Sequence, residues 1–142
     1  MDEIQDRQGP PLRILLAEDN VVNQRVAQLM LTKLGHRVHI VEDGAAAVEA
    51  VKGPAYDVVL MDIEMPKMGG LEACQLILRH FGTKERPYII ALTAHADRAA
   101  CLAAGVDNYL RKPVRTADLA KMLSYATTTT GQSREEHGQR HD

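Results

Sequence analysis

Four apolar runs, well separated in the chain, each lead to a side chain that can do chemistry. Glu18 and Asp19 follow Ile14-Leu15-Leu16-Ala17, Asp62 follows Val58-Val59-Leu60-Met61, Thr93 follows Ile89-Ile90-Ala91-Leu92, and Lys112 closes, with Arg111 and Pro113, the run from Val106 to Leu110. Taken singly, the acids read as turn residues, which are common at strand ends, the threonine as a last strand residue and the lysine as a surface group. Together they make an acidic cup with one hydroxyl and one ammonium at its rim. Two carboxylates about 5 Å apart repel by ~3 kcal/mol at an effective dielectric of about 20, so such a cup costs stability unless a cation enters it. Mg²⁺ suits it better than Ca²⁺, because Mg²⁺ takes one or two carboxylates and keeps waters that a phosphate can replace. The metal and Lys112 would then neutralise the oxygens of a phosphoryl group arriving at Asp62, with Thr93 donating to one of them. A carboxylate held in line with a phosphoryl donor is a nucleophile, and its product is an acyl phosphate.

The elements that bring these residues together are legible from pattern. Arg13 to Ala17 reads as a buried strand, and Asn20 as the cap of a helix from Val21 to Leu34 with Ala27, Met30, Leu31 and Leu34 on one face. Gly35 ends that helix. A strand over Arg37 to Val41, a turn at Asp43-Gly44 and an Ala-rich helix to about Lys52 follow, closed by Gly53-Pro54. The strand carrying Asp62 must leave the sheet by Pro66, since proline donates no ladder hydrogen bond. After Gly69-Gly70 a helix from about Leu71 to His80 turns Leu71, Cys74, Ile77 and Leu78 inward. A charged loop over Gly82 to Pro87 leads to a strand from Tyr88 to Thr93, a helix over Asp97 to Ala104 and a strand over Val106 to Leu110. Thr116 is expected to cap a last helix with Leu119, Met122, Leu123 and Ala126 on one face. Alternating strands and helices, with strands too apolar for one wet face, require a parallel sheet covered on both sides: a doubly wound α/β domain of five strands and five helices. Ligands of such sheets sit beyond the carboxyl ends of the strands, where the polar residues collect.

Three parts are expected: a flexible lead over 1–11, one domain over 12–126, and a polar tail over 127–142 that buries too little to order itself. The 142 residues suffice for one core, and 45% apolar with 25% charged is ordinary globular composition. A net charge of −2 and only 4% aromatic residues argue against nucleic acid and anionic membranes as partners. The opening Met1-Asp2-Glu3-Ile4-Gln5-Asp6 carries neither region of a signal peptide and no run approaches membrane-spanning length, so a soluble cytoplasmic protein is expected. Cys74 and Cys101 read as buried reduced thiols.

Five motifs in order, Ala17-Glu18-Asp19-Asn20, Val59-Leu60-Met61-Asp62, Met65-Pro66, Ala91-Leu92-Thr93-Ala94 and Lys112-Pro113, make the chain resemble the receiver domains of two-component response regulators over roughly residues 12 to 126. The resemblance implies a flavodoxin-like sheet in the order 2-1-3-4-5 and Asp62 as phosphoacceptor. It also implies that Asp19 and Asp62 ligate Mg²⁺ directly, with Glu18 acting through water and the backbone carbonyl of Glu64 completing the set. Thr93 is then the switch hydroxyl, Tyr109 the switch aromatic and Lys112 the family's lysine, on a cis peptide to Pro113. The run from Glu18 to Gln24 and the loop Thr83 to Pro87 are most similar to receivers attached to hybrid sensor histidine kinases. Such a chain is a signalling phosphoacceptor, not an enzyme in its own right, that promotes its own phosphorylation and dephosphorylation. Its donor is a histidine kinase or a histidine phosphotransfer domain docked on the first helix, with Val21, Val22 and Arg25 as candidate contacts, and a downstream protein reads its changed surface. No output domain is read after residue 126. Gly69 departs from the Asp that many of these receivers carry there, which bears on loop stiffness and not on chemistry. His95, two residues beyond Thr93, is a candidate for tuning acyl phosphate lifetime.

Three rival readings are weaker. A flavodoxin-like cofactor binder would want a glycine-rich phosphate loop after the first strand, where Glu18-Asp19 repels phosphate. A phosphatase of the haloacid dehalogenase type would want an acidic Asp where Glu64 stands, and a cap domain. A phosphorylation-independent interaction module would not need a complete acceptor site.

Overall fold

The computed structural model describes residues 11–65, 68–94 and 98–136. Five strands, β1 (Arg13–Ala17), β2 (Arg37–Val41), β3 (Val58–Asp62), β4 (Tyr88–Thr93) and β5 (Asn108–Arg111), form one parallel sheet in the order β2-β1-β3-β4-β5. Five helices connect and follow them: α1 (Val21–Lys33), α2 (Gly44–Ala50), α3 (Gly70–Phe81), α4 (Arg98–Ala103) and α5 (Thr116–Glu136). No helix among the described residues is long and apolar enough to cross a membrane.

The central strand explains the layering. All five residues of β3 are buried, so alternate side chains must find apolar partners on opposite faces of the sheet. Val59 and Met61 join Leu15, Ile89 and Ala91 in one core, with Ala47 and Val48 of α2, Ala73, Cys74 and Ile77 of α3, and Cys101 of α4. Val58 and Leu60 join Ile14, Leu16, Ile90 and Leu92 in the other, under Leu31 of α1 and Leu119, Leu123 and Ala126 of α5. Both cysteines are buried and outside any disulfide, and burial pushes the Cys74 thiol up to about 12.

Local signals set the helix ends as expected. The Asn20 side chain accepts from the Asn23 amide at 2.9 Å and the Asp43 side chain from the Ala46 amide at 2.8 Å. Gly35, at φ 94°, closes α1, with the His36 amide donating to the Leu31 carbonyl.

Leu71 and Leu78 pack half-buried against the core that Ala73, Cys74 and Ile77 enter fully. Three expectations are corrected. The fifth strand begins at Asn108, not Val106: the Val106 amide is drawn to the Cys101 carbonyl and the Asp107 amide to Ile89. Thr116 is the first helical residue, and Arg115 accepts the first turn's bond from the Leu119 amide. The polar segment from Thr127, expected to be disordered, continues α5 to Glu136, since a helix already nucleated by packed turns gains a backbone hydrogen bond for each residue added. The rest of that tail, the lead over 1–10, Pro66 and His95 lie outside the described residues.

Gly70 is dictated by close approach. A Cβ on Gly70 would lie 2.4 Å from the Asp62 carbonyl oxygen and 2.5 Å from the Ile63 Cα, both backbone atoms that cannot step aside. The start of α3 therefore rests directly on the end of β3. Gly70→Ala is expected to cost about 1–3 kcal/mol in urea unfolding, as overpacking does, and to shift the backbone resonances of Asp62 and Ile63 more than those of β2.

Candidate functional site

The parallel strands all end on one side, and sequence order there becomes a ring. Glu18 and Asp19 follow β1, Asp62 ends β3, Thr93 ends β4, and Lys112 directly follows β5. Glu18, Asp62 and Thr93 are buried, Asp19 is exposed and Lys112 is half-buried. The Lys112 amide donates to the Thr93 carbonyl at 2.8 Å, which locks the end of β5 to the end of β4, and the Lys112–Pro113 peptide is cis.

From this position the Lys112 ammonium reaches Asp62 Oδ2 at 3.0 Å and Glu18 Oε1 at 3.6 Å. Burial works against its charge, but the bond to Asp62 and the attraction of Asp62, Glu18 and Glu64 outweigh it and raise its pKa above the ordinary lysine value. Glu18 is held on its other side by the Asn20 amide at 3.2 Å and by Asn23 Nδ2 at 3.5 Å, while Gln24 Nε2 donates to its backbone carbonyl at 2.7 Å. Burial pushes the Glu18 carboxyl above the ordinary carboxylate range; the Asn20 bond pulls it back, and the Asp62 charge pushes it up again. Asp62 Oδ1 accepts from the Glu64 amide at 2.9 Å, so both its oxygens are engaged.

Glu18, Asp19 and Asp62 each offer a carboxylate oxygen, all within 4.8 Å of one another. An all-oxygen set with neither imidazole nor thiolate fits a hard divalent cation and not a soft one. A like-charge cluster of this kind, two of its acids buried and met by a single ammonium, has room electrostatically for such a cation.

Pattern reading placed Glu18, Asp19, Asp62, Thr93 and Lys112 around one site, and the fold brings them there. Tyr109 lies deeper: it pairs in register with Ala91, two residues below Thr93, and packs half-buried on the same face of the sheet. Sequence reasoning missed the Glu64 side chain, which reaches the Thr93 hydroxyl. It also missed the Arg86–Asp107 ion pair at the far end of β4 and β5. Asp62 and Glu64, an acid pair two residues apart, were the available signal for the first; alternating charge in a loop carries none for the second.

This fold and this site define a class, and comparison with known proteins agrees. Residues 14–124 match the response regulator receiver domain family, and the chain belongs to it. More particularly, it is 42% identical over 118 residues, 80% of this chain, to hybrid signal transduction histidine kinase G of Dictyostelium discoideum, and spans only 3% of that protein's length. It is 41% identical, with a TM-score of 0.75, to the receiver domain of sensor histidine kinase PA1611 from Pseudomonas aeruginosa PAO1, a structure with magnesium coordinated in the active site cleft; the match covers 83% of this chain and 98% of that one. A structure of the histidine phosphotransfer protein Ypd1 with the receiver domain of Ssk1, from Saccharomyces cerevisiae, matches at 27% identity and a TM-score of 0.76, covering 85% of this chain and 92% of that one.

The raised Glu18 pKa has a testable consequence in metal-free buffer. A carboxyl that binds its proton more tightly when folded contributes stability below the unfolded value of 4.5 and loses it as pH rises through the folded value. With a chelator present, Glu18→Gln is expected to melt above wild type at neutral pH. Scanning calorimetry at falling pH should show the gap closing toward pH 4.5.

Proposed function

We propose that the unit over residues 12–126 is the phosphoacceptor of a two-component phosphorelay, taking a phosphoryl group from a phosphohistidine onto Asp62. The observation that carries this reading is the Lys112 ammonium 3.0 Å from a buried Asp62 carboxylate inside a cluster of three acids at the strand ends. Asp62 attacks phosphorus in line. Its new O–P bond forms as the P–N bond to the donor imidazole breaks, and the electron pair returns to that ring nitrogen, leaving an acyl phosphate and a neutral histidine. Mg²⁺, held by Asp19, Asp62 and the Glu64 backbone carbonyl with Glu18 acting through water, would offset the charge on the phosphoryl oxygens. Lys112, already in contact with Asp62 Oδ2, follows the charge onto the phosphoryl group and needs no new position.

The product places about two negative charges next to a fully buried Thr93. The Thr93 hydroxyl turns toward the new oxygens. The space it leaves lies on the face where Tyr109 packs half-buried, so the ring can move inward and the surface of α4, β5 and α5 changes. For the donor, α1 offers an exposed apolar stripe beside the site: Val21 is 64% exposed and Val22 68%, with Arg25 exposed next to them. That stripe supports docking of a histidine phosphotransfer domain or of a kinase's phosphohistidine domain.

Incubation with acetyl phosphate and Mg²⁺ is expected to add one phosphoryl group by intact mass. The adduct should disappear with a chelator and in Asp62→Asn; an unchanged adduct in Asp62→Asn would refute the assignment. Tyr109→Ala is expected to accept the phosphoryl group at close to the wild-type rate while the α4-β5-α5 amide resonances lose most of their phosphorylation-dependent shift. Full shifts in that variant would remove Tyr109 from the switch.

A further inference from the structure

The loop leaving β3 carries an acid whose side chain the phosphoryl chemistry does not use. Glu64 crosses the site to the end of β4, where its Oε2 accepts from the Thr93 hydroxyl at 2.8 Å. The Ala94 amide points at the same carboxylate, 3.1 Å from Oε1 and 3.3 Å from Oε2. One anionic, two-oxygen group thus engages the hydroxyl and the amide at the end of β4. These donors directly follow Leu92, the register partner of Asp62, and the Glu64 amide itself bonds Asp62 Oδ1, so the Glu64 side chain and Asp62 are two residues apart at one strand end.

A phosphoryl group is the same kind of acceptor: anionic, with several oxygens, best satisfied by a hydroxyl and a backbone amide. We propose that Glu64 is an internal competitor for the phosphoryl group, its carboxylate occupying the Thr93 hydroxyl and Ala94 amide until phosphoryl oxygens displace it. The proposal rests on Asp62 being the acceptor. Glu64 is then a positioning residue: it never touches the donor, yet it sets how tightly the site holds an anion and how completely Thr93 is kept in its resting orientation. Displacement is feasible because Glu64 is exposed, so its carboxylate is rehydrated when it leaves. What is lost is two hydrogen bonds of the charge-assisted kind, roughly twice as strong as neutral ones.

The test is the affinity of the Mg²⁺-loaded protein for trifluoroberyllate, a phosphoryl mimic, followed by titration of the amide resonances, with thermal midpoints as a control on folding. Glu64→Gln keeps the size but weakens the competing bonds, and is expected to bind the mimic about fivefold more tightly than wild type. Glu64→Asp keeps the charge but is one methylene too short to reach Thr93 and Ala94, and is expected to tighten binding as well. In both variants the Ala94 amide resonance should already differ from wild type before the mimic is added. Wild-type affinity in Glu64→Gln overturns the proposal. Tightening in Glu64→Gln with wild-type affinity in Glu64→Asp also overturns it, since charge without contact would then suffice. If wild type and Asp62→Asn alike fail to take up the mimic, the assignment of Asp62 itself fails, and the competitor role falls with it.

Discussion

Two buried carboxylates side by side are the constraint on which this structure turns. Glu18 and Asp62 are withdrawn from water at the ends of adjacent strands, where each raises the energy of the other. Their only cationic side-chain contact among the described residues is Lys112, which bonds Asp62 and faces Glu18. That single charge leaves the cluster short of neutrality, and an all-oxygen set in that condition fits a hard divalent cation.

The rest of the fold serves to keep these charges converging. A parallel sheet puts every strand's carboxyl end on one edge, and the order β2-β1-β3-β4-β5 places Asp62 of β3 between Glu18 beyond β1 and Thr93 of β4. Asn20, Asn23 and Gln24 hold Glu18 through donors at the start of α1, so the same turn that begins the helix orients the acid. Gly70 lets α3 rest on the Asp62 carbonyl, which fixes the backbone beneath a side chain whose two oxygens are held by Lys112 and the Glu64 amide.

The two ends of β4 and β5 are held differently. At the amino end, Arg86 forms two bonds to Asp107, 2.7 and 3.0 Å, and Asp107 also accepts from the Ile89 amide. The bond to Asp107 raises the Arg86 pKa further, so this clamp persists at any physiological pH. At the carboxyl end the contacts are a threonine hydroxyl, an exposed glutamate and a lysine that must serve two acids.

Much of this was legible from residue types and spacing. The five strands, the cap at Asn20, the positive-φ Gly35 and the ring of Glu18, Asp19, Asp62, Thr93 and Lys112 all follow from apolar periodicity and from which residue ends each run, because backbone preferences and burial patterns are local properties. Contacts across the ring were not legible in the same way. That Lys112 serves both Asp62 and Glu18, and that Glu64 reaches Thr93, 29 positions further on, depend on strand register and on ångström-scale approach of elements distant in the chain. The chain's own order settles which groups gather at the strand ends; only packing in three dimensions settles which of them touch, since hydrogen bonds and ion pairs are decided within a few tenths of an ångström.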